Sequence, residues 1–251
     1  MKNDSTIIVI PARLASTRLP RKPLADICGM PMVARVLTRA KEADVADVIV
    51  ACSEPEVAEA VSTYGGVPVI TDPNLASGTD RVYAAVESLG KSYEIVVNLQ
   101  GDLPTVDRNT LSSVVELLKQ TDADMTTPGL IIENEDTDRF NSPNIVKIAT
   151  SIAAGQKSGR ALYFSRAPIP YGDGPKIQHL GIYAYRINAL RKYTSLPQTF
   201  LEKRERLEQL RALENGMKIH VAIVDMAPIE VDTQQDLEQA REFYKHNQKM
   251  M

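Results

Sequence analysis

A chain of 251 residues, 43% apolar and with a net charge of −3, can bury one α/β core with an elaborated excursion, and its charge gives no general reason to bind nucleic acid or a membrane surface. Cys28 and Cys52 have no metal-ligand spacing, no signal-peptide layout precedes Thr6, and no apolar run reaches about 18 residues. The expectation is a cytosolic protein whose two thiols are free and fill core space.

The first element is the β-branched run Thr6–Ile10, the pattern of a parallel strand buried on both faces, with Pro11 expected to end it. Behind it, Arg13, Arg18, Arg21 and Lys22 fall within ten residues, in a loop stiffened by Pro11, Pro20 and Pro23. Cations this close repel one another unless they are solvated or given an anion. Open α/β sheets bind ligands at the carboxyl ends of their strands, so a triphosphate is a suitable partner, and a solvated basic loop is the alternative. There is no Gly-x-x-x-x-Gly-Lys-Ser/Thr and no Gly-x-Gly-x-x-Gly, so phosphate would be held by side-chain charge and not by a glycine-lined backbone cradle.

Met32, Val33, Val36, Leu37 and Ala40 then recur at helical spacing, followed by a strand over Val45–Ala51, a helix over Glu56–Tyr64 and a strand over Val67–Thr71. This alternation predicts a parallel sheet with helical crossovers. Ser77-Gly78-Thr79-Asp80-Arg81 precedes another helical pattern and is either plain capping or a set of N–H and hydroxyl donors for a ligand. Glu94–Leu99 is the most apolar strand. It delivers Gln100-Gly101-Asp102, where the carboxylate is either a turn cap or a ligand for a hard cation such as Mg²⁺.

From about 124 to 185 the helical alternation weakens and short strands appear, including Asn144–Thr150 and Leu180–Tyr185, which reads as an excursion from the sheet. Leu201–Arg211 is expected to be one helix, with Glu202, Glu205 and Gln209 on one side and Leu207 and Leu210 facing the core. Lys218–Val224 is a last main strand. Glu230-Val231-Asp232-Thr233 opens the C-terminal helix, with Thr233 and Asp236 suited to cap it.

Several motifs along this chain resemble those of the bacterial CMP-Kdo synthetases, the 3-deoxy-manno-octulosonate cytidylyltransferases. They are Ile10-Pro11-Ala12-Arg13, Ser16-Thr17-Arg18-Leu19-Pro20, Lys22-Pro23-Leu24, Ser77–Arg81, Gln100-Gly101-Asp102, Ala161–Pro170, Gln178–Tyr185, Leu201–Arg211 and Val231-Asp232-Thr233. The resemblance implies a single domain of α/β class, a three-layer sandwich on a mainly parallel Rossmann-like sheet, with a dimerisation and sugar-binding excursion at about 124–185. It implies transfer of CMP from CTP to a 3-deoxy-2-ulosonic acid (Kdo) for lipopolysaccharide synthesis, by a cytoplasmic homodimer that needs Mg²⁺.

Carried over residue by residue, the nucleotide would be held by Pro11, Ala12, Arg13, Arg18, Lys22, Ser77, Gly78, Thr79 and Gln100. The sugar would meet Arg81, Gln100, Arg166, His179, Tyr183, Tyr185, Glu202, Glu205 and Gln209. Mg²⁺ would sit on Asp102 and Asp232, with Arg13 and Lys22 joining those two in catalysis. Two positions depart from the family pattern: Arg21 stands where glycine is usual, and Leu103 where glutamate is usual. The segment Tyr171–Ile177 is also short. The alternatives are the 8-amino analogue of Kdo or a sialic-acid-like acceptor, a non-catalytic nucleotide-binding protein, and a nicotinamide-dependent oxidoreductase, which the missing glycine fingerprint disfavours.

Overall fold

The computed structural model describes residues 5–15, 18–153 and 155–248. The chain divides into two compact units, residues 1–111 with 228–251, and residues 112–227. The whole is a mixed α/β fold.

In the first unit the strands β1 (Thr6–Ala12), β2 (Asp47–Cys52), β3 (Pro68–Ile70) and β4 (Ile95–Leu99) form a parallel sheet in the order β4-β1-β2-β3. They are linked by α1 (Met32–Glu42), α2 (Pro55–Thr63) and α3 (Gly78–Ser88), and α4 (Arg108–Gln120) follows β4. The β-branched run dictates the centre: Ile7, Ile8, Val9 and Ile10 have no exposed surface. Pro11 does not end the strand as expected. Beyond Val9, β1 is paired with β2 alone, through Pro11 and Ala12, and a one-sided ladder tolerates a residue without an N–H. At this edge Gly101 passes so close to β1 that a side-chain carbon there would lie 2.9 Å from the Pro11 carbonyl oxygen. The parallel register puts the ends of β1, β2 and β4 on one edge, where Arg13, Ser53 and Gln100 emerge.

In the second unit, β5 (Met125–Ile132) runs antiparallel to β8 (Lys176–His179) and β9 (Ile182–Arg186), and parallel to β10 (Ile219–Val224). β7 (Ser158–Ser165) is antiparallel to β10 and to β6 (Lys147–Ser151), which also pairs with β8. The pairings β5–β10–β7–β6–β8–β5 therefore close a circuit, which leaves few strand edges open. The mainly parallel character expected from the sequence holds for the first unit only. β6 and β7 pair antiparallel across a short link, whereas β5–β8, β5–β9 and β10–β7 bring together strands distant in the chain, which local alternation does not reveal.

Helices α5 (Thr137–Asn141), α6 (Ile187–Ser195), α7 (Phe200–Glu205) and α8 (Gln209–Glu214) complete this unit, and α9 (Gln234–Gln248) returns to the first. The helix expected over Leu201–Arg211 is in fact two. Arg206 is left-handed, with φ 58°, and its N–H donates to the Glu202 carbonyl to close α7. Burial of Leu207 and Leu210, together with an internal Glu202–Arg211 ion pair, offsets the strain of that break. Among the described residues no helix is long and apolar enough to cross a membrane.

Candidate active site

The carboxyl edge of the first unit gathers the charged side chains. Lys22 sits on a 3₁₀ turn, Lys22–Leu24, that follows the cationic loop. That turn is fixed by a cluster of Leu19, Ile27, Met32, Val231, Leu237 and Ala240, which packs the loop, α1 and α9 together. The Lys22 ammonium donates to Asp102 Oδ2 at 2.7 Å and to Asp232 Oδ1 at 2.8 Å, while Arg18 reaches Asp232 Oδ2 at 2.9 Å. Burial opposes the charged ammonium, but Asp102 and Asp232 outweigh it and hold Lys22 above its ordinary pKa.

The chain approaching α9 is aligned by the Val231 N–H, which donates to the Asp102 carbonyl at 2.9 Å. Asp236 accepts from the N–H groups of Asp232 and Thr233, and its own N–H donates to Thr233 Oγ1. Capping is thus done by Thr233 and Asp236, which leaves the Asp232 carboxylate for the edge. Glu230 stands beside it. Asp102, Glu230 and Asp232 offer ligand oxygens all within 4.8 Å of one another, an all-oxygen donor set of the kind a hard divalent cation takes. Part of Glu230 stays open to solvent, but desolvation by its surroundings, reinforced by the charges of Asp102 and Asp232, pushes its pKa up to about 7.

The expected nucleotide residues line the same edge. Pro11 and Ala12 are buried in β1, and Arg13 is exposed with no ion pair among the described residues. Ser16 and Thr17 lie outside the described residues. The next N–H of the loop, that of Leu14, donates to Glu54 Oε1 at 3.1 Å, tying the loop to the start of α2. Ser77 caps α3, accepting from the Asp80 N–H. Gly78 faces Pro11 and Gln100, because a side-chain carbon built on it would lie 3.6 Å from Pro11 Cγ and 3.8 Å from Gln100 Oε1. Gln100 donates to Asn98 Oδ1 at 3.0 Å, and Asn98 donates to Thr79 Oγ1 at 3.3 Å, so Thr79 is a buried member of a polar chain. Arg81, expected at the sugar, is turned inward: it is 3% exposed and donates to Thr71 Oγ1 at 2.5 Å. The Cys52 thiol nearby is pushed up to about 11 by burial and by Glu54, as suits an unreactive core thiol.

The second unit holds the other expected sugar residues. Glu205 accepts from Ser165 Oγ at 2.8 Å, from the Arg166 N–H at 3.1 Å and from Tyr163 OH at 3.4 Å. Arg166 donates through Nε to the Glu205 carbonyl and through Nη1 to that of Pro143. Lys147, wholly buried, donates to the carbonyls of Ser142, Ile145 and Arg166 and so braces the same corner.

Glu202 and Glu205 take different partners. The Glu202 carboxylate takes Arg211 Nη2 at 2.5 Å and Nε at 2.9 Å and also accepts from the Thr199 N–H, so it ties α7 to α8 and is not free to read a hydroxyl. Tyr183 and Tyr185 are buried along β9, in a run of tilted rings that includes His179 and Tyr193. Their place is the core, because all of Ile182–Tyr185 is enclosed. His179 Nε2 lies 3.1 Å from Thr127 Oγ1, and desolvation of the ring, part of whose surface remains accessible, pushes its pKa down to about 3. It is therefore neutral, a hydrogen-bonding group and not a cation. Gln209 is 4% exposed, and its Nε2 has no hydrogen-bond partner among the described residues.

Residues 7–219 match the family model described as cytidylyltransferase. The 3-deoxy-manno-octulosonate cytidylyltransferase of Rhodospirillum rubrum is 52% identical over 238 residues, 94% of each chain. That of Paramagnetospirillum magneticum is 50% identical over 247 residues, 98% of this chain and 100% of the relative. The chain belongs to the 3-deoxy-manno-octulosonate cytidylyltransferase family. A solved CMP:2-keto-3-deoxy-manno-octonic acid synthetase complexed with CTP superposes with a TM-score of 0.88 at 35% identity, covering 97% of this chain and 100% of that one.

Within this cytidylyltransferase frame the departure at Arg21 changes little in the backbone. Arg21 adopts φ 56° and ψ 32°, the left-handed conformation a glycine would enter freely, and its guanidinium is paired with Glu56. Reasoning from the sequence passed over Glu230, Lys147 and Arg211. For Glu230 a signal existed: it lies two residues before Asp232 in an extended segment, and residues i and i+2 there share a face. Lys147 and Arg211 carried no such signal, since a cation is expected at the surface until the fold supplies carbonyls or a carboxylate to meet it.

Proposed function

We propose that this protein transfers CMP from CTP to the anomeric hydroxyl of Kdo. The hydroxyl oxygen bonds to the α-phosphorus, and the bond from that phosphorus to pyrophosphate breaks. The observation that carries this reading is the convergence of Lys22, Arg18, Asp102 and Asp232 on the edge where Gly78 faces Pro11 and Gln100.

Arg13, Arg18 and Lys22 supply positive charge for the triphosphate and for the departing pyrophosphate, a stabilisation that grows as charge develops. Asp102 and Asp232, with Glu230 beside them, would hold Mg²⁺, which when bound neutralises charge between carboxylate and phosphate oxygens and orients the attacking group. Pro11, Gly78 and Gln100 offer the base and ribose a surface on which backbone can approach closely. In the second unit, Arg166 and Gln209 are the groups whose chemistry suits the ulosonic acid, the first by charge and the second by its unpaired buried donor. Glu205 fixes the Arg166 backbone. The three-layer arrangement of helices about the sheet, the homodimer, the cytoplasmic location and a place in lipopolysaccharide synthesis belong to the same reading.

A pyrophosphate-release assay with CTP and a panel of ulosonic acids tests it. Kdo should be turned over fastest, and the panel includes its 8-amino analogue. Equal rates on Kdo and N-acetylneuraminic acid would contradict the assignment, and CTP binding without sugar-dependent pyrophosphate release would make the protein a nucleotide sensor.

A further inference from the structure

We propose that Lys22 is the resident counter-ion of the metal site: it occupies the space between Asp102 and Asp232 until a triphosphate draws it away, so that divalent metal enters with the nucleotide and not ahead of it. This rests on the reading of Asp102 and Asp232 as metal ligands.

The geometry is that of a cation already in place. One ammonium, on a side chain 17% exposed, lies 2.7 Å from one aspartate and 2.8 Å from the other. Arg18 takes the second oxygen of Asp232, but that side chain is 66% exposed, and an exposed ion pair dissolves at little cost. Glu230 makes no hydrogen bond or ion pair among the described residues. A bare divalent ion arriving at this edge therefore meets one open carboxylate, two carboxylates already neutralised, and an ammonium that repels it at close range.

A triphosphate reverses each of these terms. Its oxygens offer Lys22 another anionic partner, and the four-carbon stem lets the ammonium swing while the backbone stays put. The 3₁₀ turn holds that backbone through Leu24 N–H to the Arg21 carbonyl at 2.8 Å and Ala25 N–H to that of Lys22 at 3.1 Å. Once the ammonium has moved to phosphate, the two freed aspartates again need a cation. Nucleotide and metal thus favour each other's binding through one side chain, a coupling that acts in both directions.

The test is a titration of the full-length protein with Mn²⁺, following free Mn²⁺ by electron paramagnetic resonance without nucleotide. Lys22→Met should bind Mn²⁺ about tenfold or more tighter than the parent, because a nearby like charge is gone. If Lys22→Met does not fold, Lys22→Gln, which keeps an amide donor towards the aspartates, carries the same expectation. Unchanged or weaker Mn²⁺ binding in the folded variant would overturn the counter-ion role alone. Adding Asp102→Asn to Lys22→Met should abolish the gain. A gain that survives it would put the metal elsewhere and overturn the two-aspartate reading instead.

Discussion

Replacing Glu202 by Gln keeps the shape of the side chain and removes its charge, leaving the Arg211 guanidinium, 6% exposed, without its bidentate partner. Breaking a buried pair from one side costs about 3–5 kcal/mol, because the remaining charge is uncompensated. The cost should fall nearer 3 than 5, since Arg211 also lies 4.7 Å over the Tyr193 ring and keeps that attraction. The double replacement Glu202→Leu with Arg211→Met should recover most of the loss, because an apolar pair of similar volume has no charge to desolvate. Urea unfolding followed by circular dichroism measures the parent, the single and the double variant, and the KM for Kdo is measured alongside. A structural Glu202 predicts a large drop in stability with at most a modest change in KM. The reasoning fails if Glu202→Gln unfolds like the parent while KM for Kdo rises more than about tenfold, the mark of about 1.4 kcal/mol of lost sugar binding.

Asp102→Asn and Asp232→Asn should each lower turnover by about 10²-fold or more while the urea midpoint moves little, and activity should vanish with a chelator and return with Mg²⁺. Wild-type turnover at low Mg²⁺ in either variant would return that aspartate to a purely structural role. Arg21→Gly relieves a left-handed non-glycine residue worth about 1–2 kcal/mol and gives up an exposed pair with Glu56 worth about 0–1 kcal/mol. Stability should therefore stay level or rise slightly, and a loss above about 1.5 kcal/mol in urea would show that the pair matters more than the backbone. His179 titrates near 3 in the folded chain against about 6.5 unfolded, so between those values only the unfolded chain takes up the proton. Stability should fall as pH drops through that window, by at most about 1.4 kcal/mol per pH unit. A pH 7 to pH 5 difference identical in the parent and in His179→Asn would exclude this histidine as its source.

The parallel half of the fold was legible because its signals are local. A β-branched run such as Thr6–Ile10 has no other good use, and apolar spacing from Met32 to Ala40 specifies one helix face. The antiparallel circuit of the second unit was legible only as a loss of helical pattern, because which strand pairs with which is a long-range choice. The break at Arg206 was hidden for the same reason. Leu201–Arg211 has good helical spacing throughout, and the reward for breaking it comes from the Arg211–Glu202 pair nine residues apart. At the candidate site, residue types were readable and pairings were not. Asp102 at a strand tip and Lys22 in a basic loop were both singled out, but each for phosphate or metal and not for the other.

The two departures from the family pattern show how an edge keeps its chemistry when a motif changes. Leu103, where glutamate is usual, is 4% exposed and joins the apolar interior, so it leaves no polar group unpaired at the end of β4. Glu230 stands at the same edge from the segment before α9, held in register by the Val231 N–H on the Asp102 carbonyl. Three acids there without cations would repel both one another and a triphosphate. Lys22 and Arg18 meet that charge, and the loop that carries them is stiffened by prolines and pinned by Leu19 to the core shared with α9. The edge thus balances acids at the strand ends against bases on the loop, and that balance is the property a charged substrate and its metal would have to exchange with.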